Sequence, residues 1–252
     1  MAIAEIRPRR GLSREAVKYI AALAMLLNHI ASVCLTPGTL LREVLIDAGY
    51  FTAVTMCYFL AEGFRHTRSR RRYALRLAVF AAVSELPFCL AFTENGILAF
   101  QGMNMLFTLL LCFGILAVLE EVESSAVRCA LVTALVLLSL VSDWPLLAPL
   151  FTLLFRRAGG GRRRTAAAFA AAAGLTGLLF YADSALAGLP PAACLLRALG
   201  AAAGPAAAGV AVAFCYSGQR AARGRAFSKW FFYVFYPAHL LLLGLIRVWP
   251  LL

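Results

Sequence analysis

Charged side chains are scarce in this 252-residue chain, at 14% of the total, where a soluble domain carries about 25%. Acidic groups are scarcer still: 12 Asp and Glu stand against 24 Lys and Arg. Hydrophobic residues make up 62%, more than a soluble core of this length has room to hide, whereas a bilayer solvates them directly. The seven cysteines include no Cys-x-x-Cys pair and lie in or beside apolar segments, so neither a metal site nor a disulfide framework is expected. No internal repeat is visible. A cleavable leader is not expected either: the first apolar run ends without a small-residue cleavage pattern and reads as a retained helix.

What is present is length of apolar sequence. A mean hydropathy of +0.82 and runs of about 20 apolar residues are the mark of membrane-crossing helices. The expected fold is all-α, a polytopic membrane helical bundle of about nine transmembrane helices. The spans fall near 17–35, 44–64, 73–92, 104–119, 126–141, 144–155, 165–181, 191–214 and 230–248. The sixth is short and reads as a half-span, or as one arm of a hairpin turning at Ser142-Asp143-Trp144-Pro145. The chain is one domain, 1–252, with residues 1–16 as a cytoplasmic tail.

A net charge of +12 and a pI near 9.9 suit a nucleic-acid partner only if the charge lines one face. Here the arginines sit in short runs between apolar segments, which is a topology signal and argues for no nucleic acid. With the N-terminus inside and the C-terminus outside, every Lys and Arg except Arg42, Arg197 and Arg247 falls on the cytoplasmic side, as the positive-inside rule demands. The Gly159–Arg164 run reads the same way. It has the glycines to cradle a phosphate but lacks a P-loop lysine.

Ionisable groups are expensive inside a bilayer and are the first place to look for function. One set lies toward the outer leaflet: Asn28, His29, Glu85, Asn104 and Asp143. His29 is roughly 18 Å from the inner end of its span at 1.5 Å per residue. His239 sits near the middle of the last span, beside Tyr236 and Pro237. A second set lies at the inner surface: Glu62, Arg65, His66, Arg68 and Arg76. Glu62 and His66 are four residues apart and share a helix face. Two polar clusters joined by an apolar bundle admit two classes of function. One is an enzyme passing a group from a cytoplasmic donor to an outer acceptor; the other is a transporter of a small solute. Paired halves with matching broken helices mark many transporters, and this sequence shows no such symmetry.

The residues that carry these clusters resemble the TraX family. Asn28-His29-Ile30 is similar to its Asp-His-Ile motif. The stretch from Glu62-Gly63-Phe64-Arg65-His66-Thr67-Arg68 through Tyr73-Ala74-Leu75-Arg76 to Ser84-Glu85-Leu86-Pro87 resembles its most distinctive segment. Asn104-Met105-Leu106-Phe107-Thr108 and Tyr236-Pro237-Ala238-His239-Leu240 look like its later motifs. The likeness runs from about residue 16 to 245.

That resemblance implies an integral-membrane acetyltransferase of the bacterial cytoplasmic (inner) membrane. It would move an acetyl group from cytoplasmic acetyl-CoA, without a metal, to an amine or hydroxyl of an acceptor peptide, glycan or lipid headgroup, as in the conjugation protein that acetylates pilin. His29 is then the expected base, with His239 as the second candidate. Glu85 is expected to orient His29, because Asn28 stands where the family carries Asp. Asn28 and Asn104 are expected to stabilise the oxyanion, with Thr108, Asp143 and Tyr236 around the acceptor. Arg65, His66, Arg68 and Arg76 are expected on the CoA phosphates, with Glu62 orienting them.

Overall fold

The computed structural model describes residues 11–93, 98–221 and 224–249, and the following statements concern those. Arg7, Arg9 and Arg10 of the basic tail, and Arg223, lie outside them. The fold is a helical bundle. In chain order it comprises α1 (Arg14–Cys34), α2 (Leu40–His66), α3 (Arg70–Ala91), α4 (Met105–Glu121), α5 (Ser125–Leu138), α6 (Leu147–Ala158), α7 (Arg162–Leu186), α8 (Pro191–Val210) and α9 (Arg225–Val248). α5 ends in a 3-10 turn, Ser139–Val141, and α8 continues as a π-helical turn, Ala211–Cys215. Ser13, Ser69, Asn104 and Ser124 cap their helices through side-chain oxygens, satisfying first-turn amides that the helix itself leaves open.

Six helices are long and apolar enough to cross a membrane: α1, α2, α3, α7, α8 with its π turn, and α9 from Trp230. This is fewer than the nine spans expected from the sequence. α4, α5 and α6 run 17, 14 and 12 residues. At 1.5 Å per residue the last is about 18 Å long, short of a hydrocarbon core of about 30 Å. Large apolar side chains such as Leu23, Leu75, Val79, Leu86, Leu178, Leu196 and Leu242 face outward. Water would penalise that surface and lipid does not.

α2 is the central helix, packed against α1, α4, α6 and α8. Its middle, from Phe51 to Ala61, is buried almost without a break. Tyr58 and Phe59 meet Phe155, Phe169 and Tyr216 in a cluster of tilted and edge-on rings. Small residues bring α8 onto it: a Cβ on Gly204 would stand 2.7 Å from the backbone nitrogen of Phe51, so the two main chains touch. α3 packs on α9 and α4, and α7 on α8 and α6.

The helices alternate in direction, and contacts at the two ends of the bundle record it. At the arginine-rich end, Arg70 pairs with Glu120 and Glu121 at 2.5 and 3.1 Å, Arg156 donates to the Leu119 carbonyl, and Leu12 bridges to Tyr216. At the opposite end Met103 bridges to Ser142, and Arg247 Nε donates to the Thr93 carbonyl. The chain does turn at Ser142-Asp143-Trp144-Pro145, but α5 and α6 do not pair as a hairpin: each packs on α4 instead. The turn has positive φ at two non-glycine residues, Trp144 (57°) and Leu146 (59°), a conformation that costs about 1–3 kcal/mol each.

Candidate functional site

The N-terminus of α4 is buried among three other elements, and this organises the polar residues. Asn104 is completely buried. Its Oδ1 accepts from Leu106 N–H, and its Nδ2 donates both to the Ala81 carbonyl (2.8 Å) and to Glu85 Oε2 (2.6 Å). Glu85 Oε2 also accepts the Asn104 backbone N–H at 3.2 Å. The next amide, Met105 N–H, donates to the Tyr236 hydroxyl of α9 at 3.2 Å. Thr108, one turn further, donates its hydroxyl to the Asp143 carbonyl at 2.7 Å. A negative charge at the positive end of a helix is favourable, so a carboxylate here is held by the helix as well as by its hydrogen bonds.

Glu85, Asn104, Thr108, Asp143 and Tyr236, drawn from four separate sequence motifs, therefore form one node. Pro87 and Pro237 lie inside the two helices, α3 and α9, that pack together to flank it. Asp143 lies in the strained turn beside it. Burial raises its carboxyl from 3.8 to about 6, while the Trp144 backbone N–H pulls the other way.

The histidines complete the node from the side. His239, three residues beyond Tyr236, holds its Nδ1 2.7 Å from the Phe235 carbonyl. Its Nε2 is 2.8 Å from His29 Nδ1 on α1, with the rings 6° from parallel. A carbonyl only accepts, so Nδ1 of His239 carries the hydrogen. In the neutral ring Nε2 is then an acceptor, and His29 Nδ1 must be the donor. The one lone pair left over is on His29 Nε2, which has no partner among the described residues. His29 is half-buried, and Phe92 closes one side of it edge-on.

Several expectations change. Glu85 does not orient His29: its carboxylate is bound to Asn104, and His239 is the residue that fixes the His29 ring. Asn28 gives one amide hydrogen to the Ile46 carbonyl at 2.9 Å, and its side chain fills the space above Gly49, so it is packed against α2. Asn104 has no amide hydrogen left for an oxyanion, since the Ala81 carbonyl and Glu85 take both. Thr108 is engaged with backbone. Tyr236 keeps its own hydrogen: its oxygen accepts from Met105, and nothing among the described residues accepts from it.

Below the node lies a cavity of about 550 Å³. One end is walled by Met105, Phe235 and Tyr236. The other opens among Arg14, Lys18, His66, Arg76 and Arg220, with Glu15 on the rim. Arg76 Nε is buried there with no hydrogen-bond partner among the described residues. Lys18 rests its ammonium between the Phe59 and Phe232 rings. Neither histidine lines this cavity; Tyr236 and Phe235 stand between. Of the expected donor-binding residues, Arg76 and His66 line it. Arg65, Glu62 and again His66 line a second cavity, and Arg68 is exposed and lines neither. Glu62 accepts from the Tyr216 hydroxyl and pairs with Arg14 at 3.4 Å, so it orients those groups rather than Arg65 or His66. Burial and the Glu62 charge raise the Tyr216 phenol above its ordinary range. Arg14, Lys18 and Arg220 went unnoticed in the sequence because a cation at the end of a span looks like a topology signal. The spacing of Arg14 and Lys18, four apart on one helix face, was the available clue. Among the described residues no group of three His, Cys, Asp or Glu is placed to hold a metal ion.

A lipid-facing bundle whose buried carboxylate, amide, phenol and imidazole pair converge above a cationic cavity defines a multi-pass membrane protein with a built polar site. The chain matches the TraX protein family over residues 13–247. It is 33% identical over 236 residues to the probable fimbrial assembly protein FimC, serogroup H1, of Dichelobacter nodosus, a match covering 90% of this chain and 92% of that one. The chain belongs to the TraX family. No solved structure matches it.

Proposed function

We propose that this protein is a membrane acetyltransferase that takes an acetyl group from acetyl-CoA at the arginine-rich end and delivers it to an acceptor at the opposite side. The observation that carries this reading is the cavity running from Arg76, His66, Arg14 and Arg220 up to Tyr236 and Phe235, the residues that separate it from the histidine pair. Arginine forks suit the phosphates of the donor, and the apolar middle of the cavity suits a pantetheine arm.

In this reading the thioester carbonyl stops at Tyr236. His29 Nε2 removes the proton from the attacking amine or hydroxyl as that nucleophile adds to the carbonyl carbon. The Tyr236 O–H donates to the oxyanion. The tetrahedral centre collapses with cleavage of the carbon–sulfur bond, and the CoA thiolate takes the proton from the His29 imidazolium. His239 holds His29 in the tautomer with a bare Nε2.

The donor end is cytoplasmic on this reading, in the bacterial inner membrane, with nine helices crossing in alternation and α4, α5 and α6 doing so in a shortened sector. The fimbrial assembly name of the relative favours a pilin-like peptide as acceptor, presented at the outer leaflet.

Purified full-length protein in liposomes, supplied with acetyl-CoA labelled in the acetyl group, tests the proposal. Label should move to an amine acceptor, and transfer should require donor and acceptor on opposite faces. Flux of a solute with no acetyl transfer and no CoA binding would make the protein a transporter instead.

A further inference from the structure

The Gly159–Arg164 run reads from sequence as a topology marker, and the mechanism above does not use it. In the folded chain it forms one wall of a second cavity of about 360 Å³, within the usual range of about 300–1,000 Å³ for small-molecule sites. Arg65 comes from α2 to the opposite wall. Its guanidinium nitrogens lie 3.7 and 3.8 Å from where a Cβ on Gly160 would be, and Gly160 itself sits at φ +88°.

Arg162 is the first residue of the 25-residue α7. The capping position, Gly161, offers no side chain to the first-turn amides, which leaves them open to an anion. Thr165 is only 3% exposed and lines the cavity, and its hydroxyl makes no hydrogen bond to any described residue, which leaves it free to donate to a molecule seated there. Glu62 also lines this cavity; its charge is paired with Arg14 at 3.4 Å, and it accepts from the Tyr216 hydroxyl. The π-helical turn of α8 forms the floor through Val212 and Ala213, and such turns are frequent at functional sites.

The two cavities share one residue, His66. We infer that the second cavity seats the phosphorylated nucleotide end of the acyl donor, with the thioester arm passing His66 into the larger cavity. The inference rests on the acetyl-CoA reading and divides the donor between two chambers. Phosphate oxygens would meet Arg65, the Arg162 side chain and the open amides of α7. The Thr165 hydroxyl would donate to a further oxygen, and the Tyr216 ring would border the base.

The probe is adenosine 3′,5′-bisphosphate, the nucleotide portion of CoA without its arm, titrated into the purified full-length protein. Wild type should bind it. Arg162→Gln and Thr165→Val should each weaken binding about tenfold, as expected for one lost charge-assisted or buried hydrogen bond. Arg71→Gln removes an exposed arginine of the basic end that lines neither cavity, and it should keep the wild-type constant. In wild type, saturating nucleotide should slow transfer from acetyl-CoA and leave transfer from S-acetyl-pantetheine unchanged.

Absence of nucleotide binding to wild type overturns the inference, as does equal weakening by all three substitutions. Equal inhibition of both donors also overturns it, because that places the nucleotide in the larger cavity. Nucleotide binding of the expected pattern without acetyl transfer from any donor removes the acetyltransferase reading and leaves the nucleotide cavity standing. Transfer from acetyl-CoA with no nucleotide binding does the reverse.

Discussion

His29 and His239, 210 residues apart in the chain, meet ring nitrogen to ring nitrogen at 2.8 Å. The hydrogen on His239 Nδ1 is fixed by the Phe235 carbonyl, and that single constraint propagates across both rings. It gives the two histidines different work. His29→Ala should lower acetyl transfer by about 10²–10⁴-fold, the usual share of a general base. His239→Ala leaves the base in place but frees its tautomer and orientation, so the loss should be smaller. His239→Gln, which retains an acceptor, should recover part of it. Rates per folded protein check the order; equal, complete loss in both alanine variants would contradict the division of roles.

Arg76 has a buried Nε with no hydrogen-bond partner among the described residues, at the wall of the larger cavity. Arg76→Ala should therefore raise KM for acetyl-CoA with kcat nearly unchanged, the pattern of lost ground-state binding. Steady-state kinetics at varied acetyl-CoA decide it. An unchanged KM would reduce Arg76 to a topology signal.

Asn104 is a structural keystone rather than a donor to substrate. Asn104→Leu keeps the volume but removes the cap on Leu106 N–H and the amide donor to the Ala81 carbonyl, and leaves the Glu85 carboxylate with only the backbone amide of residue 104. Destabilisation of about 2–4 kcal/mol is expected from the unpaired buried groups. Thermal unfolding in detergent should show a clearly lowered midpoint.

Asp143 gives the molecule a pH dependence of defined sign. Its folded carboxyl titrates at about 6 against 3.8 ordinarily, because burial disfavours the charge. Between those values the folded state holds a proton that the unfolded chain has released, so stability falls as pH rises through this window. The loss is complete above about pH 6. Asp143→Asn should flatten that slope, which unfolding midpoints across pH 4–7 will show.

Much of this was legible in the residues. The long apolar runs marked the six helices able to cross, and their edges fell within a few residues. The outer polar set was read as Asn28, His29, Glu85, Asn104 and Asp143, residues a membrane interior does not tolerate without partners; the structure joins Glu85, Asn104 and Asp143 with Thr108 and Tyr236 in one node and pairs His29 with His239. What periodicity does not carry is pairing between distant helices. Glu85 was assigned to His29 because both belong to the outer set and Asn28 stands where the family carries Asp. Shared depth says nothing of azimuth, and α3 turns its carboxylate to the start of α4 instead. Asn28 misled for a related reason: an amide facing a neighbouring helix has the same sequence signature as one facing a cavity. The space above Gly49 shows which it is. The shortness of α4, α5 and α6 was half visible, in the doubtful sixth span and the Asp143-Trp144-Pro145 turn. The role of Arg14, Lys18 and Arg220 was hidden by their resemblance to ordinary anchoring cations.

The bare backbone of Gly204 against Phe51 has a mechanical consequence. Where two main chains lie in van der Waals contact, no side chain remains between them to compress or re-rotamerise, so α2 and α8 move as one beam. α2 also supplies a wall to both chambers. Widening of the larger chamber to admit or release a bulky donor falls to the elements facing that beam, α1, α3, α4 and α9. Two of these carry His29 and His239, which ties entry of the donor to the spacing of the imidazole pair.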